Sequence, residues 1–241
     1  MTRRRWIADQ VAGNRAILTG EHADHLARVL RARVGQEFDV SANGIVRRGR
    51  VAAIGDSRVE FELSGEVAWA PVPQFTLLLA IFKFDRMEWV IEKCTELGVA
   101  RIIPVIARRT VAHLASAAAK RSERWHRIAL QAAEQSRRPA PPEMTAPTKL
   151  PVAMSSTRGL RIVLSESERL TLLRDALGSP PTVGDEERGI TLAVGPEGGW
   201  TGEELEHFQQ SGWISASLGS TILRAETAAI AATAVVVSAA R

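Results

Sequence analysis

The segment ITLAVGPEGG, from Ile190 to Gly199, carries the pattern that decides the fold of this 241-residue chain. Its first half is a nearly continuous apolar run, which is typical of a strand buried on both faces of a parallel sheet. The glycines that follow predict a loop whose backbone can approach a flat ligand closely. The loop matches neither the P-loop nor the G-x-G-x-x-G dinucleotide motif, so its spacing alone favours a plain turn as much as a ligand site.

Strands and helices alternate on both sides of this segment. Apolar runs predict further strands at 75–81, 102–106, 161–164 and 214–218. Helical spacing predicts helices at 87–97, 122–136, 202–208 and from 225 onward. Such alternation implies an α/β fold with a mostly parallel sheet covered on both faces, and Pro104 places its strand near an edge or at a strand end. Ligands of such sheets bind beyond the carboxyl ends of the strands, so the loops 195–199 and 219–224 are the candidate binding loops.

Local signals mark where several of these helices begin and end. Asp85 with Glu88, and Thr201 with Glu204, match the capping-box pattern at a helix N-terminus. Gly98 predicts the end of the first long helix, because glycine readily adopts the left-handed conformation found just beyond a helix.

The first 70 residues have a different pattern, with short strands and tight turns. Asn43-Gly44 lies between two apolar segments and predicts a hairpin, since both residues tolerate positive φ. A short helix is predicted at 25–31, and the whole region is typical of a small β-barrel or sandwich. The composition changes at the proline-rich stretch that follows. We therefore predict one domain at 1–70, a linker at 71–73 and a second domain at 74–241.

Composition excludes several classes of protein. Cys94 is the only cysteine, which excludes a disulfide framework, and the five histidines lack the spacing of a zinc site, so no metal is expected. The basic N-terminus is not followed by an apolar run, which argues against a signal peptide. The longest apolar stretch, 227–240, is shorter than the roughly 20 residues that a spanning helix needs. We expect a cytoplasmic protein with no membrane partner.

Arginine is abundant and unevenly placed. The chain has 27 arginines and four lysines at a net charge of +4, which indicates either a polyanionic partner or a biased genome composition. Residues 101–138 hold nine basic and two acidic groups, whereas residues 139–241 are net acidic. A concentrated positive segment can steer a polyanion, although an ordinary solvated helix face would have the same composition. The candidate phosphate contacts, each also interpretable as a solvated surface arginine, are Arg28, Arg31, Arg124, Arg127 and Arg138.

Two loops and three further segments, taken together, resemble one known family. The loops are Gly195 to Gly199 and Leu218 to Ala228, and the other matching segments are 28–31, 87–99 and 134–138. In this order they are similar to the bacterial RsmE family, the 16S ribosomal RNA uridine N3-methyltransferases of the SPOUT class. The resemblance covers nearly the whole chain.

This resemblance implies the fold, the cofactor and the partners. It implies S-adenosylmethionine as the methyl donor, an N-terminal PUA-like RNA-binding barrel, a C-terminal SPOUT domain with a trefoil knot, and a homodimer. The substrate would be one uridine of 16S ribosomal RNA, either free or within the 30S subunit. By analogy, the positions that hold the cofactor are Leu164, Gly195, Glu197, Gly199, Leu218 and Leu223.

The chemistry of uracil methylation singles out Arg224 as the candidate catalytic residue. Methyl transfer to N3 requires loss of the N3 proton and stabilisation of negative charge on the flanking carbonyl oxygens. A guanidinium beside those oxygens would supply that stabilisation, although Arg224 could instead form a structural ion pair. Two other functions stay open: a related knotted RNA methyltransferase with another site or ribose 2′-hydroxyl chemistry, and a non-catalytic RNA-binding or ribosome-assembly protein.

Overall fold

The computed structural model describes residues 5–68, 74–178 and 189–239, and these divide into two compact units. One unit comprises Met1–Ala70 together with Leu130–Pro141, and the other comprises Pro71–Ala129 together with Pro142–Arg241. The proposed linker at 71–73 lies outside the described residues. The division into domains at 1–70 and 74–241 therefore stays a prediction.

The N-terminal unit contains a six-stranded sheet in the order β1-β4-β5-β6-β3-β2. The strands are β1 Trp6–Ile7, β2 Gln10–Ala12, β3 Arg15–Thr19, β4 Glu37–Ala42, β5 Ile45–Gly55 and β6 Arg58–Glu66. Asn43 and Gly44 have φ values of 53° and 79°, which confirms the predicted hairpin between β4 and β5. Register shifts in β5 bend the sheet around a core that includes Trp6, Leu18 and Phe61.

Helical segments cover part of this sheet. Helix α1, Gly20–Asp24, continues directly into a π-helical turn at His25–Val29. The predicted helix at 25–31 is thus present but begins earlier. Its apolar side places Leu26 in the core.

The segment Leu130–Pro141 also packs in the N-terminal unit. The Arg5 guanidinium donates to the carbonyl oxygen of Arg137, and the Ser41 hydroxyl donates to that of Pro139. The buried Glu134 accepts a bond from the backbone N–H of Ile7 at 3.4 Å. Residues far apart in the sequence therefore complete this unit.

The C-terminal unit contains a seven-stranded sheet in which every pairing is parallel. Its strand order is β10-β8-β7-β12-β11-β13, and β9 also pairs with β8. The strands are β7 Phe75–Ala80, β8 Arg101–Ile106, β9 Glu143–Met144, β10 Thr148–Lys149, β11 Leu160–Leu164, β12 Ile190–Val194 and β13 Ile214–Ala216. Pro104 lies on β8 between the residues that pair with β9 and those that pair with β10, so its missing N–H disrupts no outer ladder.

Helices cover both faces of this sheet, as the sequence predicts. They are α2 Phe84–Leu97, α3 Ala112–Gln135, α4 Leu150–Ser155, α5 Leu173–Leu177, α6 Gly202–Gln210 and α7 Ala225–Ala239. On β7, Leu77 packs in one apolar cluster with α2 and α7, whereas Leu78 packs in a second cluster with α4 and α6. This alternation across the sheet confirms the predicted α/β fold with a parallel sheet.

The predicted helix ends are partly right. Gly98 has a φ of 114° at the end of α2, and Thr201 with Glu204 forms a complete capping box at α6. The capping box predicted at Asp85 is wrong, because α2 already begins at Phe84 and Asp85 lies inside its first turn. Glu88 instead accepts a bond from the Arg124 guanidinium at 2.8 Å.

Candidate active site

A cavity of about 250 Å³ opens at the carboxyl ends of β11, β12 and β13. It approaches the lower limit of the roughly 300–1,000 Å³ typical of small-molecule sites. Three loops line it, because parallel neighbouring strands end at the same edge of the sheet. All the residues predicted to hold the cofactor lie on its wall, namely Leu164, Gly195, Glu197, Gly199, Leu218 and Leu223. Their contacts with a cofactor stay a prediction.

Two positions of the glycine loop after β12, residues 195–199, leave little room for a Cβ atom. A Cβ at Gly195 would lie 3.2 Å from the indole nitrogen of Trp200, closer than most side chains approach. Gly199 has a φ of +70°, and a Cβ there would lie 3.2 Å from a carboxylate oxygen of Glu166. These glycines therefore keep the loop against Trp200 and expose its backbone to the cavity.

Arg109, on the loop after β8, holds the glycine loop in place through hydrogen bonds. Its Nη1 atom donates to the carbonyl oxygen of Gly198 at 2.5 Å and to that of Trp200 at 3.3 Å. Arg109 was not among the site residues predicted from the sequence. The only signal was its place after a predicted strand, which this residue shares with many others.

Glu204 also links the loop after β8 to the segment that follows the glycine loop. One oxygen of its buried carboxylate accepts the backbone N–H of Arg108 at 2.8 Å, and the other accepts that of Thr201 at 2.8 Å. The capping box that the sequence predicts therefore also fixes the loop after β8, a contact across 96 residues.

The loop after β11 forms the third wall, and only Leu164 at its start was predicted from the sequence. Ser165, Glu166, Ser167 and Arg169 also line the cavity. Ser165 and Ser167 share a hydroxyl hydrogen bond of 2.7 Å. These polar residues could have been found by applying the strand-end rule to β11 as well.

Glu168 shapes this loop from outside the cavity. Its carboxylate accepts the backbone N–H groups of Leu170 and Thr171 at 2.8 and 3.1 Å. These hydrogen bonds lower the pKa of Glu168, because they favour the charged form. The carboxylate therefore stays charged and keeps the loop folded back on itself.

A second cavity adjoins the first and contains the candidate catalytic residue. Lys83, Arg86, Glu197 and Arg224 supply its charged wall, and Ile222, Leu223 and Ala225 complete it. Glu197 and Leu223 line both cavities. Arg224 is exposed and forms no ion pair within the described residues, so the structural ion pair considered from the sequence is not observed there.

The candidate phosphate contacts of the N-terminal unit differ in exposure. Arg28 is exposed and lies 3.3 Å from the Asp24 carboxylate, and Arg31 is exposed with a φ of 51°. Arg138 was expected on a solvated helix face, but α3 ends at Gln135 and Arg138 is only 9% exposed. Burial lowers the pKa of Arg138 to about 10, because it disfavours the charged form.

The two other candidates lie on α3 in the C-terminal unit. Arg124 and Arg127 are both exposed, and Arg124 forms an ion pair with Glu88 at 2.8 Å. An ion pair at the surface contributes little to stability and leaves donors of the guanidinium available. The role of both arginines as phosphate contacts stays a prediction.

Neither a membrane segment nor a metal cluster is found in the part of the chain that the structure describes. No helix there is both long and apolar enough to cross a membrane. No group of three or more histidine, cysteine or carboxylate side chains there is placed to hold a metal ion. The absence of a metal partner stays an expectation.

Comparison with known families defines the class of this protein. A model described as an RNA methyltransferase domain matches residues 70–237, and one described as an RNA methyltransferase PUA domain matches residues 18–64. The first match covers well over half of the chain. The protein is therefore an RNA methyltransferase-family chain with an N-terminal PUA domain, as the resemblance implies.

Similar individual proteins identify the particular family within this class. The ribosomal RNA small subunit methyltransferase E of Synechocystis sp. is 33% identical over 91% of this chain and 72% of its own length. That of Aquifex aeolicus is 30% identical over 92% of this chain and 94% of its own length. The chain belongs to the ribosomal RNA small subunit methyltransferase E family, RsmE.

Solved structures agree with this assignment. A ribosomal RNA small subunit methyltransferase E from Neisseria gonorrhoeae, bound to S-adenosylmethionine, superposes with a TM-score of 0.79 at 28% identity, covering 97% of this chain and 96% of that one. A putative methyltransferase from Legionella pneumophila, also in complex with S-adenosylmethionine, gives 0.81 at 27% identity, covering 99% and 98%. Both relatives hold the same cofactor.

Proposed function

We propose that this chain transfers a methyl group from S-adenosylmethionine to N3 of a specific uridine in 16S ribosomal RNA. The observation that carries the proposal is the cavity at the ends of β11, β12 and β13. It brings together three segments that the sequence separates, in a chain whose solved relatives are bound to this cofactor.

The residues of this cavity fit S-adenosylmethionine. The glycine loop offers backbone N–H and C=O groups to the edge of a flat ring, and Leu218 and Leu223 offer apolar surface to its face. Glu166 and Glu197 supply carboxylates that suit a ligand with cationic groups. When bound, the cofactor supplies an electrophilic methyl group on a sulfonium.

Arg224 is the residue that we assign to the chemical step. Uracil N3 becomes nucleophilic when it loses its proton, and the resulting charge is shared with the two flanking carbonyl oxygens. Arg224 lines the cavity next to the cofactor cavity, and its guanidinium forms no ion pair with a carboxylate among the described residues. A cation at this position lowers the pKa of N3–H and stabilises the anion, while the cavity walls align the reacting atoms. No general base is assigned.

The remaining parts of the proposal are those that the family resemblance implies. The N-terminal PUA domain binds RNA with Arg28 and Arg31, and the exposed face of α3 adds Arg124 and Arg127, whereas the buried Arg138 is not expected to reach the RNA. The chain forms a homodimer with a knotted C-terminal domain, and it acts in the cytoplasm on 16S ribosomal RNA or the 30S subunit. The alanine-rich α7 supports close helix packing in such an assembly, because small side chains let backbones approach.

Two direct measurements distinguish the proposed function from its two rivals. Calorimetric titration with S-adenosylmethionine tests the enzyme, since a folded protein that does not bind it would be a non-catalytic RNA-binding protein. Mass spectrometry of 16S ribosomal RNA from a strain that lacks the gene tests the product. We expect 3-methyluridine to be absent there and to return with the intact gene.

The role of Arg224 is tested in the same strain. A gene carrying Arg224→Ala should restore little 3-methyluridine, whereas Arg174→Ala should restore it fully. Arg174 is the matched control, because its side chain is 75% exposed and pairs only with the neighbouring Asp175. Persistence of 3-methyluridine without the gene rejects the N3 assignment, and appearance of a 2′-O-methyl group instead favours the ribose chemistry.

A further inference from the structure

The cavity beside the cofactor site contains more positive charge than one catalytic arginine explains. Lys83 and Arg86 line it together with Arg224, and Glu197 is the only carboxylate on the wall within the described residues. Lys83 is exposed and forms no ion pair in the part of the chain that the structure describes. Uncompensated cations around a concave surface attract an anionic ligand.

A buried carboxylate holds Arg86 at this wall. Glu226, in the first turn of α7, is 5% exposed, and its Oε1 atom lies 3.1 Å from Nη1 of Arg86. Its Oε2 atom is buried and has no hydrogen-bond partner within the described residues. Burying a carboxylate with one oxygen left without a hydrogen bond costs free energy. The Glu226–Arg86 pair is therefore better explained by the orientation that it gives to the Arg86 guanidinium than by a contribution to the stability of the fold.

The geometry points to a site for a phosphate of the RNA chain next to the target uridine. We propose that Lys83 and Arg86 bind this phosphate, and that Glu226 is a positioning residue for Arg86. A guanidinium has five N–H donors, so Arg86 keeps donors for a phosphate after pairing with Glu226. The inference rests on the proposed function, because it places the backbone of the substrate beside the base that Arg224 receives.

The carboxylate of the cofactor is the other anion that could reach these cations. The two cavities share Glu197, Ile222, Leu223 and Ala225, so the two possibilities must be separated by experiment. The phosphate is favoured because Arg224, which the proposed function places against the target base, lines this same cavity, so the backbone of that nucleotide must pass close to Lys83 and Arg86.

The test compares Lys83→Ala and Glu226→Gln with the unchanged protein and with Lys93→Ala. Lys93 lies on α2, the helix that begins directly after Lys83, but it pairs with Glu92 and Glu96 and lines neither cavity. Binding of 16S ribosomal RNA transcripts is measured at several salt concentrations, and binding of S-adenosylmethionine is measured by calorimetry. Circular dichroism at rising temperature checks that each variant is folded.

For Lys83→Ala we expect RNA binding to weaken about tenfold and the slope of log K against log salt to become shallower by about 0.7–0.9, the value for one lost phosphate contact. Affinity for S-adenosylmethionine should stay within twofold. Glu226→Gln should weaken RNA binding in the same direction, with KM for RNA rising more than kcat falls. A merely structural role of Glu226 would lower the unfolding temperature without changing the salt slope.

Two outcomes would overturn the inference. Weaker binding of S-adenosylmethionine by Lys83→Ala, with unchanged RNA binding, would assign these cations to the carboxylate of the cofactor. Equal behaviour of Lys83→Ala and Lys93→Ala in both titrations would make Lys83 an ordinary surface residue. If RNA binding responds as expected but no methyl group is transferred, the phosphate site stands and the proposed function fails.

Discussion

Replacing Glu204 by alanine should destabilise the protein much more than the same change at Glu203. The Glu204 carboxylate is buried and accepts hydrogen bonds from the backbone N–H groups of Thr201 and Arg108, both at 2.8 Å. Glu203, its neighbour in the sequence, is 81% exposed and reaches only Arg108, at 3.5 Å. The two positions therefore form a matched pair on one helix turn.

The size of the effect follows from the lost hydrogen bonds. Removing half of a capping box costs about 1 kcal/mol, and leaving the backbone N–H of Arg108 without its partner costs about 1–3 kcal/mol. Removing a carboxylate from a buried position recovers part of this, because its desolvation penalty disappears. We expect a net loss of about 2–3 kcal/mol in the free energy of unfolding for Glu204→Ala, and a change within about 0.5 kcal/mol for Glu203→Ala.

Urea unfolding of both variants and of the unchanged protein measures these free energies. A loss of about 2–3 kcal/mol corresponds to a drop of roughly 4–12 °C in Tm for a domain of this size. Affinity for S-adenosylmethionine should fall as well, since Glu204 joins the loop after β8 to the start of α6, directly beyond the glycine loop. Equal stability of Glu204→Ala and Glu203→Ala would refute the reasoning.

Three further predictions concern the cofactor loop, the RNA surface and the core. Arg109→Ala should weaken binding of S-adenosylmethionine about tenfold in calorimetry, because the guanidinium bonds that hold the glycine loop are lost, whereas Arg108→Ala, which keeps its backbone bond, should bind normally. Replacing Arg124 and Arg127 together by alanine should make the slope of log K for RNA binding against log salt concentration shallower by about 0.7–0.9 for each lost phosphate contact. An unchanged slope would show that neither arginine contacts the RNA. Burial raises the pKa of the Cys94 thiol to about 12, so it should not react with a thiol reagent at pH 8 until the protein is unfolded, and rapid labelling of folded protein would contradict this.

Sequence patterns identified the elements whose causes are local. The Asn43-Gly44 hairpin and the Thr201–Glu204 capping box each depend on atoms within three residues of one another, so the sequence alone specifies them. The buried strands were also recognisable, because an apolar run such as Ile190–Val194 can be satisfied only inside the protein. The loops at 195–199 and 219–224 were recognisable because they follow predicted strands of a parallel sheet.

Local patterns gave wrong predictions at the start of α2 and beyond the end of α3. Glu88 matched a capping box with Asp85, but Arg124, 36 residues away, takes its carboxylate instead. Arg138 followed the basic pattern of α3, yet the helix ends first and the residue is buried in the N-terminal unit. In the first case a tertiary contact outweighed a local preference of about one hydrogen bond, and in the second the helix ended before the residue was reached.

The sequence by itself determined most of the strands, two of the three loops that line the cavity and the resemblance to the family, because periodicity, turn chemistry and ordered motifs are properties of neighbouring residues. Only the tertiary structure decided which loops meet. The strand order places β11 between β12 and β13, so Leu164, Gly195 and Leu218 line one cavity although they are widely separated along the chain. The tertiary structure also showed that Arg109 and Glu204 form hydrogen bonds that fix the loops around this cavity. These bonds join residues about 90 positions apart, so neither local sequence carries a signal of them.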